Sequence, residues 1–243
     1  GEIERMDQEG TDAADAPGVS DDGSGTAAVI ELARVLSKYE FEKTLVFVAF
    51  SGEEYGLVGA NLYAKRAAAE KQIIDAVLNN DIIGNDLAGN GRTAGTAVRV
   101  FSEDPIDSVS RTLARYIKEV GERYVPAMKV NLVFRADRFA RGGDHTPFDR
   151  AGFPAVRFTT TAEFYANQHS ATDTFANASP KYTASVAKVN AAERLAAALR
   201  KPGYVCSPIN LGSATDVYQP IEREWRLTRA VLEVLDACRH PFT

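Results

Sequence analysis

Two patterns of apolar residues take turns along this chain. Short unbroken apolar runs, bounded by Gly, Asp or Lys, alternate with longer stretches whose apolar residues recur at helical spacing. The first pattern predicts buried strands and the second amphipathic helices. Lys43–Phe50 is the clearest run and predicts a buried strand; further strands are predicted over Ile73–Gly84 and near residues 97–101, 128–134 and 155–158. Helical spacing predicts helices over Thr26–Leu36 with Ser24 as N-cap, from Leu57 to about Lys71, near Asp107–Val120, over about Pro180–Leu199 and over Ile221–Ala237. Residues 1 to about 23, acidic and rich in Gly, Asp and Ala, read as loop. Strands alternating with helices predict an α/β fold: a mixed, mainly parallel sheet with helices on both faces, in three layers. Residues 1–202 form one domain in this reading, and the pattern changes after Pro202 into a tail, 203–243, with one helix.

Composition narrows the classes of function. With 45% hydrophobic and 25% charged residues among 243, the chain can bury one large core. A net charge of −5, with scattered charges and no basic patch, argues against nucleic acid as a partner. No apolar run approaches the roughly 20 residues of a membrane span. Cys206 and Cys238 both fall in the tail, where a disulfide in an oxidising compartment and free thiols are both open. Only three histidines occur, His145, His169 and His240, with no His-Glu-x-x-His helix, so a metal site here would be built mainly from carboxylates.

Carboxylates of that kind recur at loop positions. Glu53 and Glu54 follow the predicted strand Lys43–Phe50 at its carboxyl end, where open α/β sheets place their ligands. Asp21 and Asp22 stand in a Gly-rich turn before a helix, where they either cap the helix or hold a carboxylate rigidly over the sheet edge. Asp81 ends an apolar strand, so burial obliges it to find a partner, for which a metal ion is suited. His169 lies in a polar loop, either as a surface residue or as a ligand whose imidazole Asp173 orients. Asp144 and His145 read either as pocket residues or as a helix cap beside a structural histidine.

Taken in order, Ala16-Pro17-Gly18-x-x-Asp21-Asp22-Gly23-Ser24-Gly25, Gly52-Glu53-Glu54-x-Gly56-Leu57-x-Gly59, Asn80-Asp81-Ile82-x-Gly84, Gly143-Asp144-His145-x-Pro147-Phe148 and His169-x-x-x-Asp173-Thr174 resemble a known set of motifs. They are similar to those of the zinc exopeptidase family that includes bacterial leucyl aminopeptidases, glutamate carboxypeptidase and glutaminyl cyclases. The resemblance covers about residues 12 to 200. It implies two zinc ions in the intact enzyme, with Asp21 bridging them, Glu54 and His169 completing one, and Asp81 binding the other. Glu53 would be the general base and acid, with Asp144, His145 and Asp173 as pocket or supporting residues. It further implies a peptide substrate, aminopeptidase activity and a secreted or periplasmic location.

One family feature is absent. Members carry a His-x-Asp motif on a central strand upstream of the Pro-Gly turn, whereas no histidine precedes His145 and residues 1–15 hold no apolar run. Three readings follow: a piece of a longer protein whose first strands lie upstream of Gly1, a mononuclear site like that of the glutaminyl cyclases, or a non-catalytic relative that binds. One or two zinc ions per chain are accordingly expected here. The last reading is the weakest, since Asp21, Glu53, Glu54, Asp81 and His169 all keep residue types suited to the chemistry.

Overall fold

A computed structural model describes residues 16–39, 41, 43–103, 108–137 and 141–199, with side chains to residue 192. The tail, its predicted helix and the two cysteines lie outside the described residues. Four strands, β1 (Val77–Asn80), β2 (Ala97–Phe101), β3 (Lys129–Val133) and β4 (Ala155–Thr160), form one sheet in the order β1-β4-β2-β3. β1 runs parallel to β4 and β2 parallel to β3, while β2 and β4 are antiparallel. The sheet is therefore mixed and mainly parallel, as the sequence predicts.

Strand parity decides what each face carries. Val98, Val100, Val130, Val156 and Phe158 point to one side and pack against helices α1 (Ser24–Leu36), α3 (Val109–Tyr124) and α5 (Pro180–Leu199). The alternate residue Ala155 packs on the other side with Ala60 and Ala64 of α2 (Val58–Ala69) and Phe148 of α4 (Thr146–Arg150). Each fully buried Val or Phe on the first face contributes about 1.5–3 kcal/mol by leaving water. Arg157, one step from Val156 and Phe158, is thereby sent to the second face, away from the larger core.

Two strand predictions need correction. Lys43–Phe50 forms no strand: no described strand runs beside it, and Val46 and Phe47 are 61% and 38% exposed. An apolar run becomes a strand only when a neighbour supplies ladder partners for its N–H and C=O groups. Leu45 and Phe50 nevertheless pack inward against the helices. The predicted strand Ile73–Gly84 shrinks to Val77–Asn80, because Ile73 is 89% exposed and the chain turns at Ile82, whose φ is 58°.

Helix ends also differ from expectation. Ser24 is the first residue of α1 rather than its N-cap; its hydroxyl donates to Ser20 O at 2.7 Å and accepts from Ile83 N at 3.1 Å, fastening the helix start to the segment after β1. The side chain of Ser108 does cap α3, accepting from Arg111 N at 3.2 Å. α3 runs four residues further than predicted, to Tyr124.

Candidate metal centre

Three segments meet at the site, the first of them tied to the residues after β1 through the Asp22 carboxylate and Ile82 N. The first is the turn Val19–Gly23, closed by a hydrogen bond from Gly23 N to Gly18 O at 2.8 Å. Gly18 has φ +61°, and a Cβ there would stand 2.8 Å from the Asp21 carbonyl oxygen, so the turn requires glycine. Asp173 fixes this turn: its carboxylate accepts from Ser20 N at 2.8 Å and from Asp21 N at 2.9 Å. The expected contact between Asp173 and the His169 imidazole is not what that carboxylate does; both of its oxygens are taken by the backbone that presents Asp21.

Glu53 and Glu54 sit in the turn leading into α2, where Leu57 N donates to Glu53 O at 2.8 Å and Val58 N to Gly52 O at 2.9 Å. The third segment is the loop after β4, in which His169 has φ 53°. A non-glycine residue in that region costs on the order of 1–3 kcal/mol and persists where surrounding contacts over-determine it.

These segments bring Asp21, Glu54 and His169 together. One ligand atom from each lies within 4.8 Å of the others, and they are the one such group among the described residues. His169 Nε2 stands 2.7 Å from Glu54 Oε1 and 3.1 Å from Asp21 Oδ2. A single ring nitrogen thus faces two carboxylate oxygens, a shared focus that suits a cation better than one N–H proton. Hydrogen bonds to Asp21 and Glu54 push the His169 pKa up to about 10. Two carboxylates and an imidazole are a zinc donor set, so these residues fit that metal.

Glu53 lies beside the group without joining it. Burial, then the charges of Asp81, Glu54, Asp144 and Asp21, pushes its carboxyl up to about 8. Burial, together with Asp81, pushes Asp144 up to about 6. His145 is 1% exposed, with Nε2 3.2 Å from Glu103 Oε1, which makes it a buried histidine tied to the end of β2.

Asp81 is close enough for its charge to act on Glu53 and Asp144, yet it stands outside the three-residue group. Its partner is Arg157, whose Nε lies 3.0 Å from Asp81 Oδ2. Asp22, beside Asp21, turns inward instead, accepting from Gly25 N at 3.0 Å and Ile82 N at 3.2 Å. Burial, reinforced by Asp81 and Asp21, raises the Asp22 carboxyl well above its ordinary range. The sequence reading missed Arg157. Its signal is a lone charge inside the run Ala155-Val156-Arg157-Phe158, which a buried strand tolerates only with a buried anion.

Residues 6–193 match peptidase family M28. The chain belongs to peptidase family M28. It is 38% identical over 205 residues to a probable zinc metalloprotease of Leptosphaeria maculans, a match covering 73% of this chain and 48% of that one. The M28 chain thus spans about half the length of that curated relative. Among solved structures, the aminopeptidase from Aneurinibacillus sp. strain AM-1 superposes with a TM-score of 0.62 at 26% identity, covering 80% of this chain and 43% of that one. A Porphyromonas gingivalis glutaminyl cyclase superposes with a TM-score of 0.52 at 15% identity, covering 71% and 63%, and shares the fold.

Proposed function

We propose that this chain carries the zinc site and the general base of an exopeptidase that releases N-terminal residues from peptides. The observation that carries this reading is the convergence of Asp21, Glu54 and His169 with Glu53 standing free beside them. Zinc bound by those three side chains would lower the pKa of a water molecule and polarise a scissile carbonyl.

The chain's own residues supply the rest. Glu53 takes a proton from the water as its oxygen bonds to the carbonyl carbon, and returns that proton to the departing amine nitrogen as the C–N bond breaks. Its partly buried position, among other carboxylates, favours the protonated form between those two events. Asp173 holds the turn that presents Asp21, through the two backbone hydrogen bonds at Ser20 and Asp21. The Asp144 carboxylate, near enough to Glu53 for their charges to interact, suits recognition of a substrate's free ammonium group.

A second reading, glutaminyl cyclase chemistry, draws on the same three side chains, since a single ion suffices for it. One assay separates the two: a peptide with N-terminal glutamine, followed by mass spectrometry with added zinc. The exopeptidase reading expects loss of the whole glutamine residue. Loss of ammonia alone, with the peptide bond intact, supports the cyclase reading, and an unchanged peptide series with varied N-termini removes both.

A further inference from the structure

Asp81 and Arg157 form a buried ion pair outside the three-residue metal group. The Arg157 residue is 2% exposed and Asp81 8%. The guanidinium lies side-on to the carboxylate, with Nε 3.0 Å from Asp81 Oδ2 but not aligned for a hydrogen bond. Its Nη1 donates to Gly142 O at 2.7 Å and lies 3.5 Å from Asp137 Oδ2. A buried guanidinium of this kind needs compensating anions, and among the described residues Asp81 and Asp137 lie within ion-pair distance.

The loop above closes this unit. A Cβ added at Gly143 would stand 2.9 Å from Asp81 Oδ2, 2.9 Å from Asn79 Nδ2 and 3.2 Å from Arg157 Cδ. The backbone at Gly143 therefore lies directly against the Asp81 carboxylate.

We propose that Arg157 is the built-in cation of Asp81, so that this chain holds one zinc ion, at Asp21, Glu54 and His169, and Asp81 serves to seat Arg157 rather than to bind a second zinc. This rests on the three-residue zinc site proposed above. The guanidinium balances the Asp81 charge that would otherwise draw a second divalent ion, and Gly142 and Gly143 pack over both partners.

Zinc per chain, measured by elemental analysis after dialysis against trace zinc, tests this without reference to activity. The wild-type chain should hold one ion, Asp81→Asn should still hold one, and His169→Ala should hold none. Two ions in wild type with one in Asp81→Asn would overturn the Arg157 assignment and leave the three-residue site standing. No zinc in wild type, or undiminished zinc in His169→Ala, would overturn the three-residue site itself. Thermal melting of Asp81→Asn, Arg157→Met and the double variant guards against loss of fold in one variant. The double variant should melt no lower than the worse single one, because both remove the same ion pair. Additive losses would show that the two side chains act independently, and would sink the proposal.

Discussion

Among individual residues, adjacent side chains on one turn carry different tasks. Glu54 faces His169 while Glu53 is held apart, its pKa raised first by burial and then by the neighbouring acids. Glu53→Gln should retain zinc and lose about 10²–10⁴-fold in kcat, the usual contribution of a positioned general base; steady-state kinetics beside metal analysis checks it, and unchanged turnover would remove Glu53 from that role. Asp21 and Asp22 divide in the same manner, one toward His169 and the other into hydrogen bonds with Gly25 and Ile82. Residue types alone do not separate these duties, since neighbours in a turn differ only in direction; the family resemblance is what assigned Asp21 and Glu54 to the metal and Glu53 to the proton. Asp173 shows the same limit: its spacing from His169 suggests a partner for the imidazole, whereas the fold uses it on the Asp21 backbone. Asp173→Asn should therefore weaken zinc binding about 10–100-fold, as lost support of a ligand commonly does, in competition with a chelator of known affinity. An unaltered zinc affinity would mean that the turn holds without it.

At the level of elements, helices α1, α2, α3 and α5 and three of the strands were legible because their patterns are local, whereas the five-residue α4 is not among the predicted helices. Helices α1, α2 and α5 follow apolar spacing, and β2, β3 and β4 are short apolar runs with clear boundaries. Lys43–Phe50 misleads because ladder pairing is a non-local property that an apolar run alone does not reveal. The contact between α1 and β1 is equally invisible in sequence. A Cβ at Gly25 would stand 2.1 Å from Asn80 O and 2.4 Å from an Asp22 carboxylate oxygen. Gly25→Ala should therefore destabilise the fold by about 1–3 kcal/mol or more, despite alanine's better helix propensity. Chemical denaturation of the two proteins compares them directly, and equal stability would contradict the close approach.

Over the whole molecule, the acids gathered around Glu53 make folding depend on pH and on metal together. Burial and mutual repulsion raise the folded-state pKa of Glu53 to about 8 and of Asp144 to about 6. Each raised value gives a contribution that is full below the unfolded pKa and fades as pH rises through the folded one. His169, raised to about 10 by Asp21 and Glu54, fades in the same direction at higher pH. The metal-free protein should thus lose stability steadily from about pH 5 to about pH 8. Zinc needs the imidazole neutral and the carboxylates ionised, so its stabilisation grows over that range. The gap in Tm between zinc-loaded and chelator-treated protein should widen with pH; a gap that narrows would show that these groups do not share one ion. The fold class and the convergence of distant acids were legible as an ordered set of motifs. The Arg157 partnership was not, because it joins two strands through a side chain that sequence presents only as one charge in an apolar run.

The most direct test of the zinc site is anomalous diffraction at the zinc edge from crystals grown with zinc. A peak within bonding distance of Asp21, Glu54 and His169 is the predicted result. A peak bound elsewhere, or none at these three side chains, would contradict the account.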